Sequence, residues 1–317
     1  MSTNTLVVIT GPTGVGKSDT AVWLARELNA EIISADSRQL YRDIPIGTAA
    51  PTAEQMAEVK HHFVGTLSLE EYYSAAQFED DVMQLLPQLF ARSPYVVMCG
   101  GSMMYVDAVC KGIDNIPTIS DEIRHEVVER FERDGAEAMR EELRRLDPVY
   151  YNQVDLKNHK RVIHAVEICL QAGRPYSELR TNSVKQRPFR IVKIGLNLPR
   201  EQLFDRINHR VEKMIEAGLV DEARRFYPQR HLNSLNTVGY KELFAWMDGT
   251  MDYDTAVARI QKNTRVYAKK QLTWYAKDTD MHWFAPSDHQ GILKLVCKCF
   301  CDFRGFRCGV LWIFLLQ

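Results

Sequence analysis

The stretch TLVVITGPTGVGKS, Thr5 to Ser18, decides the fold. Thr5–Thr10 is apolar and rich in β-branched residues, the composition of a buried strand, and it stops at a glycine. Beyond Ser18, Ala21, Leu24, Ala25 and Leu28 recur at helical spacing until Asn29. Between strand and helix, Gly11, Pro12, Thr13, Gly14, Val15, Gly16, Lys17 and Ser18 match G-x4-G-K-[ST] in full, in the context that pattern needs to bind phosphate. Glycines let consecutive backbone N–H groups converge on phosphate oxygens, and the helix N-terminus adds a favourable dipole. Lys17 supplies a point charge, and the Ser18 hydroxyl is a ligand suited to Mg²⁺. The motif names only a ligand class, a triphosphate or a pyrophosphate.

Working outward, Glu31–Ala35 reads as a second short strand ending at Asp36, Tyr95–Cys99 as a third and Phe189–Leu198 as a fourth. Short buried strands alternating with helices indicate the α/β class, a P-loop NTPase-like parallel sheet flanked by helices. From about Ile113 to Arg187 the strand signal gives way to charged helical sequence, with stops at Asp147-Pro148, Gly173-Arg174-Pro175 and Arg187-Pro188. The expected organisation is a catalytic core over 1–112 and 189–287, a helical insertion over 113–188, and a Cys-rich apolar tail over 288–317. Three helical stretches are expected in the second part of the core, near Arg200–Tyr227, Tyr240–Asp248 and Tyr253–Lys277.

A chain of 317 residues, 45% hydrophobic and 26% charged, has the length for a core domain carrying such an insertion. A net charge of −1 argues against a uniformly basic nucleic-acid binder, but the sum hides segregation. Arg180, Lys185, Arg187, Arg190 and Lys193 form one stretch without acids, and Arg259, Lys262, Arg265, Lys269, Lys270 and Lys277 form another. The segment 121–147 is the acidic counterweight. Leu6–Ile9 and the terminal run Val310–Leu316 are too short for membrane spans, which need about 20 residues. A cytoplasmic protein without a membrane partner is expected, with a monomer as the working state. Cys99, Cys110 and Cys169 sit in apolar sequence, as reduced core thiols do. Cys297, Cys299, Cys301 and Cys308 lack the C-x2-C pairs of common zinc sites. The tail reads as a core-packing appendage, an aggregation-prone end or the product of an altered reading frame, and no function is assigned to it.

Four further groups carry chemistry. Asp36, at the carboxyl end of a strand beside the phosphate-loop strand, points toward the crevice of an open α/β sheet; it is a general base, a metal ligand or a helix N-cap. Gly100-Gly101-Ser102 opens a helix after the third strand, either for close approach of a ligand or as a packing turn. Arg206, Arg210 and Lys213 line up beside the apolar stripe Leu203, Ile207, Val211 and Met214, either to reach an anion or as a solvated face. In Tyr253–Lys277, the basic residues Arg259, Lys262, Arg265 and Lys269 lie opposite Val257, Ile260, Thr264, Tyr267, Gln271 and Trp274, a face that suits a phosphate backbone. No apolar strand ends in a separate metal-binding aspartate, so Asp36 would have to double for it.

Taken in order, GPTGVGKS (11–18), SADSRQLY (34–41), IGTAAP (46–51), GGSMMY (100–105), RVIHAVE (161–167), DRINHRV (205–211), VGYKE (238–242) and TRVYAKKQLTW (264–274) resemble the tRNA dimethylallyltransferases, or tRNA isopentenyltransferases, over about residues 5–285. The resemblance implies a dimethylallyl diphosphate donor, Mg²⁺, and a tRNA acceptor modified at N6 of the adenosine immediately 3′ of the anticodon. It implies that the phosphate loop holds a departing diphosphate rather than hydrolysing a nucleotide. Asp36 would accept the N6 proton, while Lys17 and Arg210 hold the diphosphate. The helical insertion would bind tRNA, and the matching tRNA-contacting positions are Asp36, Ser37, Arg38, Gln39, Ser102, Arg124, Lys160, Arg161, Val162, Ile163, His164, Thr237, Val238, Gly239, Tyr240, Lys241 and Glu242. The target base must be flipped out of its stack to present N6 to the donor.

Ala50 stands where many members have lysine, His164 where many have arginine, and Ser102 where threonine is common. Serine keeps the hydroxyl, but an unperturbed histidine is mostly neutral at pH 7, which weakens a phosphate contact. The tail matches neither the family nor the zinc finger that some eukaryotic members append. The competing readings are an adenylate isopentenyltransferase acting on free adenine nucleotides, a P-loop kinase of a small metabolite, and a non-catalytic RNA-binding protein.

Overall fold

A computed structural model describes residues 4–181 and 183–301. In chain order the first part runs β1 (Thr5–Thr10), α1 (Lys17–Glu27), β2 (Ile32–Ser34), α2 (Pro45–Thr48), α3 (Ala53–Glu58), β3 (His61–His62), α4 (Ala75–Phe90), β4 (Tyr95–Cys99) and α5 (Met103–Lys111). Four helices follow: α6 (Asp121–Leu146), α7 (Pro148–Tyr151), α8 (His159–Ala172) and α9 (Tyr176–Leu179). The chain then continues through β5 (Arg190–Leu196), α10 (Arg200–Glu216), α11 (Leu219–Phe226), α12 (Tyr240–Met247), α13 (Tyr253–Tyr275), β6 (Met281–Phe284) and α14 (His289–Cys301).

The described residues form two compact units, one within 4–110 and 187–301, the other within 111–186. In the larger unit six strands pair in the order β3-β2-β4-β1-β5-β6, each neighbouring pair parallel. β1 lies between β4 and β5 and is buried along its whole length, which is why its sequence is a continuous apolar run rather than an alternating one. Side chains alternate across the strand: Val7 and Ile9 pack with Leu24 of α1 and Ile207 of α10, whereas Leu6 and Val8 pack with Phe78 of α4 and Val106 of α5. A third cluster joins Val211 of α10, Leu219 of α11, Tyr240 of α12 and Ile260 of α13.

Two features depart from the sequence reading. β3 and β6 were not foreseen: β3 is two histidines at the sheet edge, and two of the four residues of β6 are exposed, so neither carries a buried-strand signature. The stretch expected as one helix from Arg200 is two, because Gly218, at φ +100, turns the chain before α11. Of the alternatives open for the tail, its first part takes the core-packing one, since Ile292 and Val296 of α14 are 0% and 1% exposed among the side chains of α1 and the sheet. Cys308 and the apolar run 310–316 lie outside the described residues.

In the smaller unit α6 bends at Gly135, and Val127, Met139 and Leu143 on its two halves pack against Val162, Ala165 and Val166 of α8. Arg130 donates to both carboxylate oxygens of the buried Glu142 across that bend, at 2.7 and 2.6 Å. No described helix is long and apolar enough to cross a membrane.

Candidate active site

The site is assembled at the carboxyl ends of the strands, where an open parallel sheet leaves a crevice. After β1, Gly11 takes φ +142, and a Cβ there would stand 2.4 Å from the Leu196 carbonyl oxygen of β5, so no other residue fits without displacing the strand. The loop closes onto α1 through Gly16, at φ 107. Lys17 donates through Nζ to the carbonyl oxygens of Gly11 and Pro12, at 3.1 and 2.9 Å, which holds the ammonium inside the loop. Ser18, Lys17, Gly14 and Gly16 border a polar cavity of about 270 Å³.

After β2, Asp36 accepts from the backbone N–H of Arg38 through Oδ1 at 3.0 Å, which fixes the carboxylate in a tight turn. The Ser37 N–H donates to Ser102 Oγ at 2.8 Å, joining this turn to the loop after β4. A Cβ at Gly100 would lie 2.1 Å from the Ala35 carbonyl oxygen, so this glycine serves the packing of one loop on the other, although Gly100 and Gly101 also border the phosphate cavity. α10 brings Arg206 Nε to the Gly14 carbonyl oxygen at 3.0 Å and Arg210 Nη1 to Thr13 Oγ1 at 3.1 Å. Lys213, third in that row, is exposed and lines neither cavity.

A second cavity of about 380 Å³ adjoins the first. Thr13, Asp36, Arg210 and Tyr267 border both. The second has an apolar wall of Ile207, Val211, Met214 and Ile260, and a rim formed by Ser37, Arg38 and Ser102 with Thr237, Val238, Gly239 and Lys241. Asp36 therefore stands at the junction of a phosphate-sized polar chamber and a larger, partly apolar one.

Burial pulls the Lys17 ammonium from its ordinary 10.5 to about 8, with Cys99 and Asp36 opposing and Arg210 adding to the fall. Burial also draws Arg210 down, against the pull of Asp36; a guanidinium starts high enough to stay charged. The Cys99 thiol, pushed up to about 12 by its burial, is neutral and unreactive at physiological pH. The oxygen ligands that line the phosphate cavity include the Ser18 hydroxyl and the carboxylates of Asp19 and Asp36. Among the described residues no three His, Cys, Asp or Glu side chains cluster as a cage. An all-oxygen set with few protein ligands suits Mg²⁺, which keeps several waters and takes oxygens from a bound diphosphate.

Of the residues expected from sequence, Thr13, Gly14, Gly16, Lys17, Ser18, Asp36–Gln39, Ser102, Arg210, Thr237, Val238, Gly239 and Lys241 line the two cavities of the larger unit, whereas Gly11 and Pro12 hold Lys17 and Val15 is buried in the core. Arg124 and the stretch 160–164 belong to the smaller unit. There Lys160, Arg161 and His164 are exposed on α8, whereas Val162 is 1% exposed and packs into the core. Tyr240 and Glu242 are likewise buried: Glu242 accepts from the Gly239 N–H at 2.8 Å and from Asn263 at 2.7 Å, closing the start of α12. Val162, Tyr240 and Glu242 thus shape the fold beneath exposed neighbours.

Gln271 is a site residue whose contacts sequence reading missed. It is 1% exposed; its Oε1 accepts from the Thr13 N–H at 2.8 Å, and its Nε2 donates to the Gly101 carbonyl oxygen at 2.8 Å, tying the phosphate loop to the loop after β4. The sequence signal was an uncharged polar residue on the apolar face of a long helix.

The IPP transferase family model matches residues 39–278. A tRNA dimethylallyltransferase of Parabacteroides distasonis is 58% identical over 289 residues, 91% of this chain and 97% of that protein. One from Phocaeicola vulgatus is 53% identical over 92% of this chain and 98% of its own length. Among solved structures, the full-length tRNA isopentenylpyrophosphate transferase of Bacillus halodurans superposes with a TM-score of 0.70 at 35% identity, covering 94% of this chain and 97% of that one. A eukaryotic dimethylallyltransferase acting on tRNA shares the fold, with a TM-score of 0.76 at 23% identity over 94% of this chain and 78% of that one. The kinase, adenylate-transferase and non-catalytic readings find no counterpart among these relatives. A P-loop sheet with Asp36 and Arg210 at its crevice, in a chain alike to these proteins over nearly their whole length, belongs to the tRNA dimethylallyltransferase family.

Proposed function

We propose that the chain transfers the dimethylallyl group of dimethylallyl diphosphate to N6 of the adenosine immediately 3′ of a tRNA anticodon, releasing diphosphate. The observation that carries this reading is the junction at Asp36: a chamber built for phosphate opens beside a carboxylate into a second chamber with an apolar wall and a polar rim. Donor and acceptor meet at that boundary. Asp36 accepts the proton of the N6 amine as N6 bonds to C1 of the prenyl group and the C1–O bond breaks. Lys17, Arg210 and the N–H groups at the start of α1 stabilise the charge that gathers on the departing diphosphate. Mg²⁺, held through Ser18 and the diphosphate oxygens, would neutralise part of that charge. The exposed Lys160, Arg161 and His164 would contact the tRNA backbone, and the reaction would take place in the cytoplasm.

The test incubates the protein with Mg²⁺, labelled dimethylallyl diphosphate and an unmodified anticodon stem-loop, with AMP in a parallel reaction. Label on the stem-loop, with a prenylated adenosine among its nucleosides by mass, supports the reading. Label confined to AMP, or phosphate transfer from ATP without use of the prenyl donor, overturns it.

A further inference from the structure

The larger cavity has two walls that come from distant parts of the chain. One carries Gly47 and Thr48 of α2; the other carries Val238, Gly239 and Lys241. One buried carboxylate links them. Glu222 of α11 is 7% exposed. Its Oε2 accepts from the Ile46 N–H at 3.0 Å and its Oε1 from the Gly47 N–H at 2.8 Å, so it satisfies two amides at the start of α2. The same Oε1 accepts from the hydroxyl of Tyr240, a ring with no exposed surface that sits between Gly239 and Lys241. Burial, reinforced by the Glu222 charge, pushes the Tyr240 hydroxyl up, so it remains a donor.

The contact is tight on the other side too: a Cβ at Gly47 would stand 2.2 Å from the Tyr240 oxygen. From α2 the linkage continues to the proposed base. Gln39 Nε2 donates to the Ala49 carbonyl oxygen at 3.0 Å, and Gln39 closes the turn that begins at Asp36 through its N–H to the Asp36 carbonyl oxygen at 3.2 Å. Glu222 itself lines neither cavity.

We propose that Glu222 is a positioning residue for the acceptor: it fixes the separation of the two walls of the larger cavity and, through α2 and Gln39, the place of Asp36 relative to the incoming base. This inference rests on the assignment of the larger cavity to the acceptor. The phosphate loop itself takes no support from Glu222, and of the linked residues Ala49, Gln39 and Asp36 border the phosphate cavity only along its edge with α2, so loss of Glu222 acts more on the acceptor than on the donor. Glutamine is the informative replacement. It keeps the shape but turns one acceptor into an N–H donor facing an N–H or O–H, which a buried cluster does not tolerate.

The experiment measures steady-state kinetics of Glu222→Gln and Tyr240→Phe with separate titrations of the anticodon stem-loop and dimethylallyl diphosphate, alongside thermal melting. The expected result is a rise of about tenfold in KM for the stem-loop in Glu222→Gln, a smaller rise in Tyr240→Phe, and a KM for dimethylallyl diphosphate within about twofold of wild type in both. A stem-loop KM equal to wild type in both variants, or a donor KM that rises in step with the stem-loop KM, overturns the proposal. If Glu222→Gln does not fold, Tyr240→Phe alone decides by the same split. Wild-type protein that prenylates no stem-loop condemns the functional assignment instead, so the two failures are told apart.

Discussion

Asp36 and Lys17 carry opposite demands on one small volume, and both are open to direct test. A positioned general base contributes about 10²- to 10⁴-fold to a rate, so Asp36→Asn is expected to lower single-turnover transfer by about that factor while donor binding, measured by calorimetry, stays within about twofold. Unaltered turnover would remove Asp36 as the base. Lys17 has a pH signature. Diphosphate needs the ammonium charged, and in the donor-free protein that charge is lost as pH rises through about 8. Binding above that pH must take up a proton, so apparent donor affinity is expected to fall by up to about tenfold per pH unit. The stability contribution runs the other way: the unfolded chain, with its value of 10.5, holds the proton more tightly, so the donor-free protein gains stability between about 8 and 10.5. Donor affinity that is flat from pH 7 to 9.5 would show that Lys17 stays charged. Asp36 and Lys17 were legible in the sequence because strand, turn and helix follow one another locally. The bond from Thr13 to Gln271 spans 258 positions, and no local pattern announces it.

At the scale of an element, α10 shows what periodicity tells and what it leaves open. The row Arg206, Arg210 and Lys213 was readable from its spacing, but whether it faced solvent or an anion depended on a strand and a loop elsewhere. The structure divides the row: Arg206 and Arg210 meet the phosphate loop and Lys213 does not. Arg210→Ala is therefore expected to raise the donor Kd by about tenfold to a hundredfold, the scale of a charged hydrogen bond, and Lys213→Ala to change it by less than about twofold. Equal effects of the two would return the row to a solvated face. α8 divides in the same way, with Val162 and Val166 in the core and Lys160, Arg161 and His164 exposed. Replacing Lys160 and Arg161 by alanine is expected to flatten the dependence of log tRNA affinity on log salt by roughly 0.7 to 0.9 per cation removed. An unchanged slope would assign that face to solvent.

Across the whole molecule, the central strands were legible and the edges were not, because only a strand covered on both faces needs an unbroken apolar run. β1 and β4 were recognisable for that reason, whereas β3 and β6 lie at the two ends of the sheet. In the tail, composition left three readings open, and α14 takes the core-packing one. Ile292 and Val296 pack in the cluster that contains Ala21, Leu24 and Ala25 of α1, and His289 stacks on Trp23 with ring centroids 4.1 Å apart and planes 9° from parallel. α14 thus backs the helix whose first residue is Lys17 while lining neither cavity. Removing a fully buried isoleucine side chain leaves a cavity that costs about 2–5 kcal/mol. Ile292→Ala is accordingly expected to lower the urea midpoint by that amount of stability, with kcat of the folded protein at low temperature within about twofold of wild type, since no group that touches a reactant is moved. A midpoint equal to that of wild type would make α14 a passenger on α1. A lost kcat at unchanged stability would instead mean that α14 sets the position of the phosphate loop through α1, and the donor Kd of the same variant separates those two outcomes.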